Sequence, residues 1–201
     1  AADDQRIADA LEPFGTRVLL TDPAHPSGTD RVAEAAKSLD ADLIVNVQGD
    51  EPEIDPAALA VLVETLANSD APMATLATNY PTGASEADPN LVKLARSMRG
   101  RALYFSRSPI PFDRGGHGRP PEHPLLLHVG VYAYRRRFLA ELATLSPTPL
   151  EQTEKLEQLR VLEHGHSIAV AVVDHRSHGI DTPQQYAEFV RRHQSRTPPS
   201  N

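Results

Sequence analysis

Two kinds of segment alternate along the chain, and this alternation restricts the fold more than any other feature. The runs "DLIVNVQ", "MATLAT" and "SIAVAVVD" are short, apolar and rich in β-branched residues, which reads as buried strand. Between them lie segments with helical spacing and explicit start and stop signals. Gln5 to Leu11 is ended by Pro13 and Gly15. A helix following "HPSG" can be capped by Thr29 or Asp30, and another opens at Asp55-Pro56 and runs to about Ala67. The segment from Thr148 to Gly165 is the clearest helix: Thr148 and Glu151 form a capping box, Pro149 takes the first position, and Gly165 stops it. Thr182 and Pro183 open a last helix. Arg17 to Thr21 reads as one more short strand. Strands alternating with such helices predict an α/β fold, with a mostly parallel, Rossmann-like sheet covered by helices on both faces.

The texture changes at Leu91. "NLVKLARS", "RALYFSR" and "LLLHVGVYAY" are strand-like with little helix between them, so residues 91–135 read as a smaller antiparallel insertion. Within it, Arg114 to Pro124 is a loop rich in Gly, Pro and His that would permit closure over a ligand. A chain of 201 residues can bury one sizeable core. The reading is a single domain over 1–193 and a disordered tail over 194–201. The net charge of −7 argues against nucleic-acid binding, which needs a basic face. No apolar run approaches the roughly 20 residues that span a bilayer, so no membrane role is expected. The lack of cysteine excludes disulfides and thiolate metal sites and is compatible with a reducing, cytoplasmic setting.

"LIVNVQGDEP" begins as a core strand and ends in two carboxylates beside a glycine. In open α/β sheets ligands bind at the carboxyl ends of strands. Gly49 admits close approach to backbone, and Asp50 or Glu51 offers the hard oxygen that suits Mg²⁺. "SHGIDTP" sets Asp181 in a similar position between a strand-like segment and a helix cap. Two acids on separate loops can hold one cation between them. The plainer alternatives are a turn at Asp50 and a helix cap at Asp181.

Several segments, taken together and in order, carry a resemblance. "HPSGTDR", "VNVQGDEP", "DPNLVK", "ALYFSRSPIP", "HVGVYAYR", "PLEQTEKLEQLR" and "GIDTPQQY" resemble the 3-deoxy-manno-octulosonate (Kdo) cytidylyltransferases over nearly the whole chain, to about Arg191. The resemblance implies an Mg²⁺-dependent enzyme. It would transfer CMP from CTP to Kdo and release pyrophosphate, supplying lipopolysaccharide synthesis as a cytoplasmic homodimer. It assigns Asp50 and Asp181 to catalysis through the metal and places Gln48 beside Asp50, where it can touch the sugar. It assigns the segment Ser27, Gly28, Thr29 and Arg31 to cytosine and ribose. An ordinary capped turn is the alternative there.

The same resemblance gives Arg107 the carboxylate of Kdo, which a guanidinium can take as a bidentate fork. A surface salt bridge is the plainer reading. His128 and Tyr132 share one face of a strand and can meet sugar hydroxyls, though such residues are often only core. Glu157 and Gln158, with Glu154 nearby, would contact sugar hydroxyls; the bland reading is a solvated face, with Glu151 and Lys155 as an ordinary i,i+4 pair. His164 with His166, and His175 with His178, lack a third ligand for zinc.

One family feature is missing. Members open with a strand and a loop of the form G-x-R-x-x-S-x-R-L-P-x-K, which neutralises the triphosphate. This sequence begins after it, so roughly 40–50 further residues, about one β-α-β unit, are expected before Ala1 in the working protein. The alternatives are a transferase for another acidic sugar, such as sialic acid, and a truncated, non-catalytic sugar-binding homologue.

Overall fold

The computed structural model describes residues 1–116, 119–120, 123–174, 179–180 and 182–196. Helices and strands follow the order α1 (Gln5–Leu11), α2 (Gly28–Ala36), β1 (Leu43–Asn46), α3 (Pro56–Ala67), β2 (Met73–Asn79), β3 (Lys93–Arg96), β4 (Ala102–Ser106), β5 (Leu126–Arg135), α4 (Arg136–Leu142), α5 (Pro149–Glu154), α6 (Gln158–Glu163), β6 (Ile168–Val172) and α7 (Pro183–Arg196). Local chemistry sets most starts. Asp4 accepts from the Arg6 amide and Asp55 from the Ala57 amide, with Pro56 at the first position of α3. Thr182 Oγ1 accepts from the Gln185 amide at 3.2 Å, which caps α7 as its sequence predicts. The helix runs to Arg196, so residues 194–196 are helical where a tail is expected.

The sheet corrects one expectation. Among the described strands only β2 and β6 pair in parallel; β1, β2 and β3 all pair antiparallel to β5, and β3 to β4. The mixed α/β class stands, but the sheet is mostly antiparallel. Because β1 and β2 both run against β5, they point the same way as each other and as β6. The sequence shows that common direction as β-α-β alternation. It does not show that β5, from much later in the chain, lies between β1 and β2. On its other side β5 is shared: residues 132–135 pair with β1 and residues 126–127 with β3. Arg17 to Thr21 forms no strand, only a bridge in which Leu20 faces Ala2.

Two apolar layers flank the sheet. On one face Ala58, Leu62 and Leu66 of α3 pack on Ala74, Leu76, Val129, Val131 and Ala133. On the other, α4 (Phe138, Leu139, Leu142), α6 (Leu159, Val161) and α2 (Ala33, Ala36) cover Ile44, Met73, Tyr134 and Ile168. Leu62 and Leu66 are fully buried, which stabilises the α3 layer by about 1.5–3 kcal/mol each. The expected continuous helix to Gly165 is broken. Lys155 takes a left-handed conformation (φ 54°, ψ 48°) and divides it into α5 and α6. Gly165 ends α6 at φ 81°, a value glycine tolerates without strain.

Candidate active site

The turn after β1 is open. Gln48, Gly49 and Asp50 are all exposed, and the Glu51 amide closes the turn on the Gln48 carbonyl at 3.1 Å. Nothing stands within 4 Å of where a Cβ on Gly49 would lie. The Ile180 amide donates to the Asp50 carbonyl at 2.8 Å, which brings the chain just before Asp181 to this turn. Asp181 itself lies outside the described residues, as do His175 and His178. The Asp50 side chain is exposed and has no hydrogen bond or ion pair with the described residues. An unengaged, exposed carboxylate fits a hard divalent cation, which keeps several waters and takes one or two protein oxygens. No cluster of three or more such side chains exists among the described residues.

The segment from Ser27 to Arg31 is the first turn of α2. Ser27, rather than Thr29 or Asp30, is the cap: its Oγ accepts from the Asp30 amide at 3.2 Å and donates to Asp30 Oδ2 at 2.7 Å. Arg31 faces the N-terminal segment, with Asp3 at 2.9 Å and Thr21 Oγ1 at 2.8 Å. His25 pairs with Glu34 and fixes the loop before the cap. Thr29 points the other way and donates to Glu157 Oε2 at 2.7 Å, joining α2 to the start of α6. A cleft of about 480 Å³ opens beside Ser27 and Asp30, walled by Glu151, Lys155, Glu157 and Arg160.

One face of β5 carries a row of rings. The His128 and Tyr132 centroids are 5.5 Å apart, those of Tyr132 and Tyr134 6.0 Å, and Phe105 meets His128 edge-on at 5.0 Å. Burial pushes the His128 pKa down to about 3, so the ring is neutral at pH 7. Burial likewise raises the Tyr132 and Tyr134 phenols, with Glu157 adding to both, and keeps them protonated donors. Thr29, Tyr132, Glu157 and Gln158 converge on one small pocket with Tyr134 and Met73. Glu157 Oε1 and Gln158 Nε2 are buried there without a hydrogen-bond partner, one an acceptor and one a donor. Native structures seldom leave such atoms without a hydrogen bond, so both can take a polar ligand, Glu157 Oε1 with Arg160 Nη2 4.0 Å away. Asn46 is also buried, beside the Tyr134 phenol. Only its polar character inside an apolar run could have singled out Asn46 in the sequence.

The break at Lys155 separates residues expected to act together. Glu154 turns back to β4, accepting from Ser106 Oγ at 2.7 Å and from the Arg107 amide at 3.0 Å. Arg107 then clasps the corner: its Nε reaches the Glu154 carbonyl at 2.7 Å and its Nη2 the Lys155 carbonyl at 3.3 Å. Nη1 holds the Pro89 carbonyl at 2.7 Å. A guanidinium has five N–H groups, so one remains on each terminal nitrogen. Glu151 pairs with Arg160 instead of Lys155, at 2.5 and 2.8 Å. His164 and His166 contact Ser146 and Glu141, which leaves them outside the site.

Comparison with known proteins places this arrangement. A family model described as cytidylyltransferase matches residues 1–168. The 3-deoxy-manno-octulosonate cytidylyltransferase of Solibacter usitatus is 48% identical over 192 residues, covering 95% of this chain and 75% of that one. The enzyme of the same name from Vibrio parahaemolyticus is 45% identical over 198 residues, with 95% and 78% covered. A solved CMP:2-keto-3-deoxy-manno-octonic acid synthetase complexed with CTP superposes with a TM-score of 0.87 at 39% identity, over 96% of this chain and 78% of the other. A glucose-1-phosphate thymidylyltransferase from Bacillus anthracis, at 14% identity and a TM-score of 0.61, shares the fold alone. At these identities and coverages, the chain belongs to the 3-deoxy-manno-octulosonate cytidylyltransferase family.

Proposed function

We propose that the protein transfers CMP from CTP to Kdo, acting as a homodimer in the cytoplasm. The anomeric hydroxyl of the sugar attacks the α-phosphorus, the bond from the α-phosphorus to the bridging oxygen breaks, and pyrophosphate leaves. The observation that carries this reading is the pairing of two unlike features in a chain 48% identical to an enzyme of that name. One is a pair of buried polar atoms without a hydrogen-bond partner, Glu157 Oε1 and Gln158 Nε2, beside the row of rings on β5. The other is an exposed, unengaged carboxylate at Asp50, at the end of a sheet strand.

Asp50 and Asp181 would hold Mg²⁺, which when bound neutralises triphosphate charge. Gln48 stands two residues before Asp50 and would meet the sugar near its reacting end. The turn from Ser27 to Arg31 would adjoin the nucleotide, with Thr29 linking it to Glu157. Tyr132, Glu157, Gln158 and neutral His128 would take sugar hydroxyls. Arg107 would offer its two remaining N–H groups to the Kdo carboxylate.

The test is pyrophosphate release with CTP, Mg²⁺ and Kdo, run beside sialic acid and beside Asp50→Asn. Release that needs Kdo, is not matched by sialic acid and is lost in Asp50→Asn is the expected outcome. Equal release with either sugar acid would refute the Kdo assignment, and undiminished release by Asp50→Asn would remove the metal site from that turn.

A further inference from the structure

We infer that Thr75 is a positioning residue that fixes the tautomer of His128 and so presents Nδ1 as a hydrogen-bond acceptor to a substrate hydroxyl. The inference rests on the placement of His128 in the sugar site proposed above. Thr75 is fully buried in β2. The register between β2 and β5 jumps at this residue: Thr75 faces Tyr132, while Leu76 faces Val129. Surplus residues of β5 therefore stand opposite one step of β2, and irregularities of this kind re-aim side chains next to active sites. Thr75 Oγ1 points into the gap, donating to the Val131 carbonyl at 2.8 Å with the Val129 carbonyl at 3.3 Å.

A hydroxyl has one hydrogen, and here the backbone takes it. The 3.1 Å contact between Thr75 Oγ1 and His128 Nε2 must then run the other way, with Nε2–H donating to the hydroxyl oxygen. The buried ring is neutral and carries a single N–H. Nδ1 is therefore the bare nitrogen. It has no hydrogen bond within the described protein, and His128 borders a cleft of about 490 Å³ together with Glu51, Asn90 and Gly130. The irregularity thus does two things through one hydroxyl: it satisfies backbone carbonyls left by the register jump, and it selects which imidazole nitrogen accepts.

The experiment begins with ¹⁵N NMR of the histidine ring in the unaltered protein. His128 is expected as the Nε2–H tautomer; a predominant Nδ1–H form overturns the inference, whatever any variant does. Thr75→Val keeps the shape and removes the hydroxyl. It is expected to shift the tautomer and raise KM for Kdo on the order of tenfold, the effect of losing one well-placed hydrogen bond. KM for CTP should not move, and Thr75→Ser should restore both tautomer and KM. Equal rises in both KM values, or an unchanged tautomer in Thr75→Val, overturn the positioning role. His128→Leu separates the two layers. If it raises KM for Kdo while the wild-type ring is Nδ1–H, this inference fails and the sugar site stands. If it leaves KM for Kdo unchanged, both fail.

Discussion

The side proposed to take the sugar and the turn proposed to hold the metal are built on opposite principles. On the sugar side, side chains are tied down before any ligand arrives: Thr29 to Glu157, His128 to Thr75, Glu154 to Ser106 and Arg107. At the turn after β1, Gln48, Gly49 and Asp50 lie exposed, and among the described residues one long-range backbone hydrogen bond, from Ile180, ties them down. The difference follows from what each ligand can do for itself. A neutral hydroxyl is discriminated only by partners already in place, because ordering them on binding would consume the small energy available. A divalent cation bridging phosphates supplies its own strong field and geometry, and a single available carboxylate is enough to anchor it.

The contrast can be broken most forcefully at Asp50. Asp50→Asn should lower kcat by about 10³-fold, roughly 4 kcal/mol, with no change in melting temperature. A fall in melting temperature alongside turnover would show that the turn is structural. Arg160 lies on the pinned side, its guanidinium held by Glu151 with both side chains nearly buried. Arg160→Leu should destabilise the fold by about 3 kcal/mol in urea unfolding, since it strands a buried carboxylate. A loss below about 1 kcal/mol would mean that this side is no more tightly held than an exposed ion pair.

A smaller effect depends on pH. Desolvation of the partly buried His128 lowers its pKa to about 3 from an ordinary 6.5. As pH falls below 6.5 the unfolded chain takes up this proton and the folded ring does not. The associated stability is complete above 6.5 and drains away toward pH 3. Between pH 7 and about pH 5, wild type should lose about 2 kcal/mol more than His128→Leu. Parallel pH profiles for the two proteins would place the ring in water. The smallest test is Lys155→Gly. Lys155 is the one non-glycine residue with positive φ among those described, at 54°. Glycine should relieve its backbone strain and raise stability by about 0.5 kcal/mol. A larger fall in stability would assign the Lys155 side chain a packing role.

Legibility followed the same division. The Asp50 turn was readable from chemistry, since glycine and acids after an apolar strand depart openly from the pattern of a core. The capped helices α3 and α7 and the strands β2 and β6 were also readable, because caps and periodicity are local. The sugar side was visible only through the resemblance. Nothing near Thr148 to Gly165 announces a left-handed lysine, because Arg107, which holds the Glu154 and Lys155 carbonyls, lies far away in sequence. The Ser27 cap was misplaced by two or three residues, as "SGTD" offers several oxygens and only geometry selects one. The mostly parallel sheet was an error of the same origin: direction is encoded locally, adjacency is not.

That adjacency has a consequence for synthesis. β1 and β2 emerge from the ribosome early, joined by α3, yet each must wait for β5 before its inner edge is paired. A nascent chain that stops short of Leu126 holds strands with open, apolar edges and nothing to close them, the condition under which sheets stick to one another. Completion of β5 converts those edges in a single step, joining β1, β2 and β3 at once. The sheet is thus assembled from its centre by a late arrival, and its yield in the cell depends on how long the earlier strands are kept apart.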